Sequence, residues 1–285
     1  MSETLTLTNQ HACFSGTVQF YRHPSTTCNC EMRFSVYVPP QAQQQPVPVL
    51  YFLSGLTCTE ENFTAKAGAQ RYAAEHGLLL VAPDTSPRGD DVPDEVDAWD
   101  FGKGAGFYVD AIAAPWNQHY QMYSYIVDEL PALINAHFPV QSDRAGIFGH
   151  SMGGHGALVC GLRNPDKFRS ISALAPIAAP MQCPWGEKAF SNYLGSDRAT
   201  WAAYDASELV KTYANPERLI LIDQGTADTF LEQKQLLPDV FEVACQQAKQ
   251  PLILRMQPGY DHGYYFISSF VGDHIQHHAT ILKRA

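Results

Sequence analysis

Three runs in this chain, VLYFL (49–53), LLLVA (78–82) and LILI (219–222), are apolar throughout, without the alternation of a strand that keeps one face wet. A strand of that kind must be covered on both faces, as in a parallel sheet flanked by helices. Further strand candidates are FSGTVQFY, MRFSVYVPP, RAGIFGHS, SISALAP and PLILRMQ. The first two carry some polar alternation, which suits half-exposed edge strands. Helical patterns fall between them at 62–76, 118–137, 152–164, 231–247 and 265–282. In the second of these, Tyr123, Ile126, Val127, Leu130, Leu133 and Ile134 form one apolar stripe, and Pro131 is expected to kink it. Strand and helix alternating for this long predict an α/β fold, a mostly parallel doubly wound sheet with helices on both faces. The ligand site of such a sheet lies on loops beyond the C-terminal strand ends. The long irregular stretches are 84–116 and 176–201. With no repeat or linker, residues 1–285 are expected to form one domain.

Composition narrows the function. The formal net charge of −10 disfavours a nucleic-acid or anionic-membrane surface. No segment reaches the roughly 18 to 20 consecutive apolar residues of a membrane span, and the N-terminus lacks the basic start and apolar core of a signal peptide. The seven cysteines are an odd, scattered set, expected to be reduced thiols. A cytoplasmic location follows as the expectation.

The stretch AGIFGHSMGGHGALVCGL (145–162) carries the chemistry. Gly149-His150-Ser151-Met152-Gly153 matches G-x-S-x-G, with a buried strand expected before it and a helix after it. A nucleophile elbow holds its serine at a strained backbone angle, so positions two before and two after must lack side chains. Gly149 and Gly153 meet that demand. Ser151 would stand at the positive end of the helix, with the Met152 N–H aimed at a developing oxyanion.

A serine hydroxyl needs a base and a group that orients the base. In this architecture the order is Ser, then Asp or Glu, then His. His262, in the loop after the last strand candidate, is the expected base. His150 is expected to point away, His155 to pack within its helix, and His274, His277 and His278 to lie on a surface helix. For the acid, Asp223 at a strand end and Asp228 in the following loop compete, with Asp261 a poorer third. Asp228 is preferred because a loop residue can reach over to the histidine, although it could also be a helix N-cap. The second oxyanion donor is expected from the loop after VLYFL, where Gly55 allows close approach and the Leu56 N–H points in. Thr57 and Glu60 have capping-box spacing, and Cys58 would lie beside the site. GKGAG (102–106) lacks the Ser or Thr of a phosphate loop.

SGLTCTEENF, VAPDTSPRG, GKGAGFYVDA, APW, GHSMGGHGAL, PWGEKAF, DQGTAD and GYDHGYYF together resemble the S-formylglutathione hydrolases of the esterase D family, in order and over nearly the whole chain. The resemblance implies an α/β-hydrolase fold, a Ser151–Asp228–His262 triad, an oxyanion hole of Leu56 and Met152, and no cofactor or metal. It further implies hydrolysis of S-formylglutathione in formaldehyde detoxification, a cytoplasmic homodimer, Cys58 near the serine and Trp185 in the pocket wall. Short acyl esters are alternative substrates. Lys66, Arg88, Lys103 and Lys188 are the basic residues that could hold glutathione carboxylates. Other readings are a short-chain carboxylesterase or acyltransferase with the same triad, a non-catalytic binding protein on a hydrolase fold, and a metal hydrolase using Cys28 and Cys30, which supply only two thiolates.

Overall fold

The computed structural model describes residues 5–284. Nine strands form one sheet: β1 (Thr6–Cys13), β2 (Gly16–Ser25), β3 (Cys30–Val38), β4 (Val47–Leu53), β5 (Leu79–Pro83), β6 (Val140–His150), β7 (Phe168–Leu174), β8 (Ile220–Gly225) and β9 (Leu252–Gln257). Their order is β1-β2-β3-β5-β4-β6-β7-β8-β9. The first three join antiparallel, β3 pairs antiparallel with β5, and every later pairing is parallel. The α/β fold read from the sequence is therefore the observed one. β4, β5 and β8 are buried at every position, as continuously apolar runs demand.

β1 is the strand that sequence patterning missed. It is exposed along almost its whole length and closes onto β2 through Phe14 and Ser15, with φ 44° and 60°. A two-residue hairpin turn with both φ positive normally advertises itself with Asn or Gly, and here neither is present.

The helices are α1 (Glu60–Lys66), α2 (Ala69–His76), α3 (Met122–Ser124), α4 (Leu130–His137), α5 (Met152–Arg163), α6 (Pro184–Tyr193), α7 (Arg198–Trp201), α8 (Ala206–Tyr213), α9 (Thr229–Glu232), α10 (Pro238–Ala248) and α11 (Tyr264–Leu282). Several differ from expectation for local reasons. The helix expected over 62–76 breaks at Gly68, in the left-handed region. Its start is capped by Thr59 with Asn62 reciprocating, in place of the Thr57–Glu60 box. Between α3 and α4 a π-helical turn, Tyr125–Glu129, absorbs the disturbance around Pro131. The carbonyl that Pro131 cannot satisfy, on Val127, instead accepts from Lys167 Nζ at 3.1 Å. The helix expected from 231 begins only at Pro238, and the stretch expected to be irregular over 176–201 contains α6 and α7.

The histidines near the C-terminus are not on the surface. α11 lies against the sheet, and His274 and His278 are fully buried. Their hydrogen bonds form a chain whose polarity follows from one end. Asp223 accepts from Arg255 and Gln257 and, at 2.9 Å, from His274 Nε2. His274 Nδ1 must then accept from Ser172 Oγ, at 2.7 Å. The Ser172 oxygen in turn accepts from His278 Nε2, and His278 Nδ1 accepts from Ser170 Oγ at 2.6 Å. Burial pushes the Asp223 pKa up, but the bonds from His274, Arg255 and Gln257 outweigh it and bring it down to about 2.

Among the described residues, no helix is long and apolar enough to cross a membrane. Among those residues, no group of three or more His, Cys, Asp and Glu is placed to hold a metal, and the seven cysteines are unpaired.

Buried neutral histidines set a pH prediction. Burial lowers the pKa of His155 to about 4, with its bond to the Phe107 carbonyl working the other way, and its Nδ1 has no partner. The unfolded chain binds this proton near its ordinary pKa of about 6.5, whereas the folded chain resists it until about 4. Stability is therefore full above pH ~6.5 and falls as the pH drops toward ~4. Denaturant titrations across this range are expected to show that decline, and His155→Gln should flatten it by roughly 1 kcal/mol per pH unit. An unchanged slope would show that His155 is not one of the groups responsible.

Candidate active site

Ser151 joins the end of β6 to the start of α5 with φ 59° and ψ −120°, a backbone region that non-glycine residues occupy only where the surroundings enforce it. The enforcement is visible on both sides. The Ser151 N–H donates to the Leu174 carbonyl at 3.0 Å, and its own carbonyl accepts from His155 and Ile177. A Cβ on Gly149 would lie 2.2 Å from the Gly153 oxygen, and one on Gly153 would lie 1.9 Å from the Leu53 oxygen. Both glycines are thus required by contact between α5, β6 and β4. Ser151 is 4% exposed.

Asp228 stands in the loop between β8 and α9, and His262 in the loop between β9 and α11. His262 Nδ1 lies 2.6 Å from Asp228 Oδ2. The same carboxylate accepts from Gln224 Nε2 at 3.0 Å and from the Phe230 N–H at 2.9 Å. The N-cap and the histidine partner are therefore one residue with two duties. Burial raises the Asp228 pKa, but the His262 hydrogen bond and charge, with the bonds from Phe230 and Gln224, outweigh it and hold the carboxyl below its ordinary value. An ionised carboxylate only accepts, so Nδ1 carries the hydrogen. Among the described residues Nδ1 is the one ring nitrogen of His262 in a hydrogen bond, which leaves Nε2 for a proton from elsewhere.

The competing acids are placed elsewhere. Asp223 turns to Arg255 and His274, and Asp261 accepts from the Gly263 N–H. His150 departs from expectation. Instead of pointing away, its ring packs 4.4 Å from that of His262. A second ring neighbour of His262 is Phe230, edge-on at 4.9 Å, and Phe230 in turn meets Trp185 at 4.7 Å. Burial, and after it the adjacent His262, push the His150 pKa well below the usual histidine value. Sequence spacing carries no signal for this contact, because it depends on where the loop after β9 returns. The Phe230 ring also went unnoticed, although its place two residues after Asp228 marks it.

The loop after β4 reaches Ser151. A Cβ on Gly55 would stand 3.1 Å from Ser151 Cβ and 3.3 Å from His150 Nδ1. Leu56 follows directly in the chain. Cys58 is half-buried with its sulfur 4.0 Å from the Tyr264 hydroxyl, and burial raises its thiol pKa. Of the basic residues named for substrate, Lys188 is paired with Asp100 at 2.5 Å, Arg88 with Asp84 at 2.7 Å, and Lys66 lies over the Tyr264 ring.

The Esterase family pattern, described as "Putative esterase", matches residues 25–277. The chain belongs to this esterase family. It is 57% identical over 275 residues to the S-formylglutathione hydrolase of Rattus norvegicus, covering 96% of this chain and 98% of the relative. The Bos taurus S-formylglutathione hydrolase is 56% identical over 271 residues, covering 95% and 96%. Among solved structures, the S-formylglutathione hydrolase of Agrobacterium tumefaciens superposes with a TM-score of 0.95 at 52% identity, covering 97% of this chain and 99% of that one.

The elbow contacts give a prediction. Gly153→Ala places a methyl group against the Leu53 carbonyl and should cost about 3 kcal/mol, read as a lowered thermal midpoint. An unaltered midpoint would mean that β4 and α5 part more easily than their contact implies.

Proposed function

We propose that this chain is a serine thioesterase that hydrolyses S-formylglutathione to formate and glutathione. The 2.6 Å bond between His262 and Asp228, beside the strained Ser151 elbow, carries the reading. Identity of 52–57% with S-formylglutathione hydrolases over nearly the full length supports the substrate.

In the proposed cycle, Ser151 Oγ attacks the formyl carbonyl carbon while His262 Nε2 takes the hydroxyl proton. Asp228 holds the imidazole in the Nδ1–H form and balances the imidazolium. The tetrahedral oxyanion is bound by the Leu56 and Met152 N–H groups, the second at the positive end of α5. The C–S bond breaks, glutathione leaves with the proton from His262, and a formyl ester remains on Ser151. Water then gives its proton to His262 as it attacks this ester. Formate departs, and Ser151 regains the proton. Trp185 forms part of the substrate wall and Cys58 flanks the serine. Lys188, with one N–H on Asp100, keeps two donors for a glutathione carboxylate.

The reading extends to one catalytic domain over residues 1–285, a cytoplasmic homodimer, and a role in formaldehyde detoxification without a metal or organic cofactor. The continuous sheet supports the first of these.

Steady-state kinetics test it. kcat/KM should be higher for S-formylglutathione than for p-nitrophenyl acetate, Ser151→Ala should abolish turnover of both, and Asp228→Asn should lower kcat by about 10⁴-fold. A preference for the simple ester would overturn the substrate, and activity surviving in Ser151→Ala would overturn the nucleophile.

A further inference from the structure

The loop that follows β4 is held in place by a stretch to which the reaction assigns no task. Thr57 has φ 68°, an unfavourable conformation for a β-branched residue, so something must hold it. Its N–H donates to the Gly104 carbonyl at 2.9 Å. The next carbonyl, that of Cys58, accepts twice, from Thr85 Oγ1 at 2.5 Å and from Arg88 Nη2 at 3.2 Å. Arg88 is fixed in turn by Asp84, a buried carboxylate 2.7 Å from its Nε. Ser86 Oγ accepts from the Gly104 N–H at 2.8 Å and so ties the second support to the first. Gly104, at φ 83°, comes so near that a Cβ would lie 3.1 Å from Thr57 Cα and 3.6 Å from Arg88 Nη2. The GKGAG segment thus finds a use as a brace, and Asp84, Thr85, Ser86 and Arg88 are its fasteners.

We propose that Arg88 is a positioning residue for the oxyanion hole: anchored on Asp84, it fixes the Cys58 carbonyl and thereby the Leu56 N–H opposite Ser151. This rests on the triad and oxyanion reading above. It replaces the expectation that Arg88 holds a glutathione carboxylate, because two nitrogens of the guanidinium are spent inward on Asp84 and Cys58. Leu56 is two residues from the clamped carbonyl and one from Gly55, which touches Ser151. Only a short span therefore separates the clamp from the donor, and loosening one end lets the N–H swing. A donor displaced by about 1 Å is expected to cost up to 10²-fold in rate while leaving ground-state binding almost untouched.

The test uses Arg88→Met, Arg88→Lys, Thr85→Val and the Arg88→Met/Thr85→Val pair, with kcat and KM measured on S-formylglutathione and on p-nitrophenyl acetate. Lysine can keep the charge on Asp84 but cannot also reach the carbonyl with a planar fork, so it preserves folding while loosening the clamp. The expected result is a fall in kcat of about 10- to 100-fold for both substrates, KM within about twofold, and a matching fall in the rate of fluorophosphonate labelling. The pair should lose less than the product of the single losses, since both groups hold one carbonyl. A rise in KM for S-formylglutathione alone, with ester turnover intact, would overturn the proposal in favour of substrate binding. Loss that tracks only the fraction folded, with normal kcat per labelled site, would overturn it in favour of simple stability. If the wild-type chain turned over neither substrate, the triad reading would fail first, and that result is read separately from the variants.

Discussion

The closeness of Gly153 to the Leu53 carbonyl governs the geometry of this molecule. A Cβ at Gly153 would fall only 1.9 Å from that oxygen, so the first turn of α5 rests directly on the end of β4. Two consequences follow from that one contact. The chain leaving β6 has no room for a relaxed turn, so Ser151 is driven to φ 59°. The chain leaving β4 emerges beside it, so Gly55 meets Ser151 before the loop has gone two residues. The proposed nucleophile and the start of the loop that carries the second proposed oxyanion donor are thus brought together by one packing event between secondary structures, and the Arg88 clamp then holds that loop from its far side.

Ser172, His274 and Asp223 form a linked Ser–His–Asp chain, and comparing it with the proposed Ser151–His262–Asp228 triad shows what the residue types alone do not settle. Ser172, His274 and Asp223 are linked at 2.7 and 2.9 Å, distances as suitable as any in the Ser151 site. Yet Ser172 lies within β7 and all three are fully buried. Both imidazole nitrogens of His274 are spent, and the Ser172 hydroxyl is held between two histidines. No acyl group could approach, and no nitrogen is left to accept a proton. His262 keeps 15% of its side chain exposed, bonds its aspartate through Nδ1, and packs against the ring of His150, the residue before Ser151 on its sharp turn. Access and strain, in addition to the constellation, separate the proposed reaction centre from a core network. Strand geometry decides which aspartate joins which chain. Asp223 and Gln224 are consecutive on β8 and point to opposite faces, so Asp223 meets α11 while Gln224 turns to Asp228.

What the sequence disclosed follows the range of the interaction. The doubly buried strands, α5 and the elbow glycines are local patterns, and they appear where expected. The pairing of Asp228 with His262 was legible because they belong to loops whose order in the chain is fixed by the architecture, although choosing Asp228 over Asp223 needed an argument about reach. β1 was hidden because its turn uses Phe14 and Ser15 at positive φ, residues that give no turn signal. The burial of His274 and His278 was hidden because a helix carrying three histidines reads as polar until serines on β7 are seen opposite them. Arg88 looked like a surface cation because Asp84, four residues earlier, gives no sign in sequence of being in the core.

The ring of His150 against that of His262 has an electrostatic consequence for the proposed cycle. His262 must become an imidazolium as Ser151 attacks, and a second cation 4.4 Å away would oppose that step. His150 does not supply one. It is buried, its Nε2 has no partner to stabilise a proton, and its pKa is held well below the usual value first by that burial. The repulsion between the two rings is mutual, and burial leaves His150 the weaker base: charge on His262 depresses it further, so protonation of His262 makes its neighbour a still poorer competitor. Asp228, kept ionised by three hydrogen bonds, is bonded to the same ring at Nδ1. In the proposed cycle His150 therefore does not compete for the proton taken from Ser151, and the Asp228 carboxylate stands bonded to the ring that receives it.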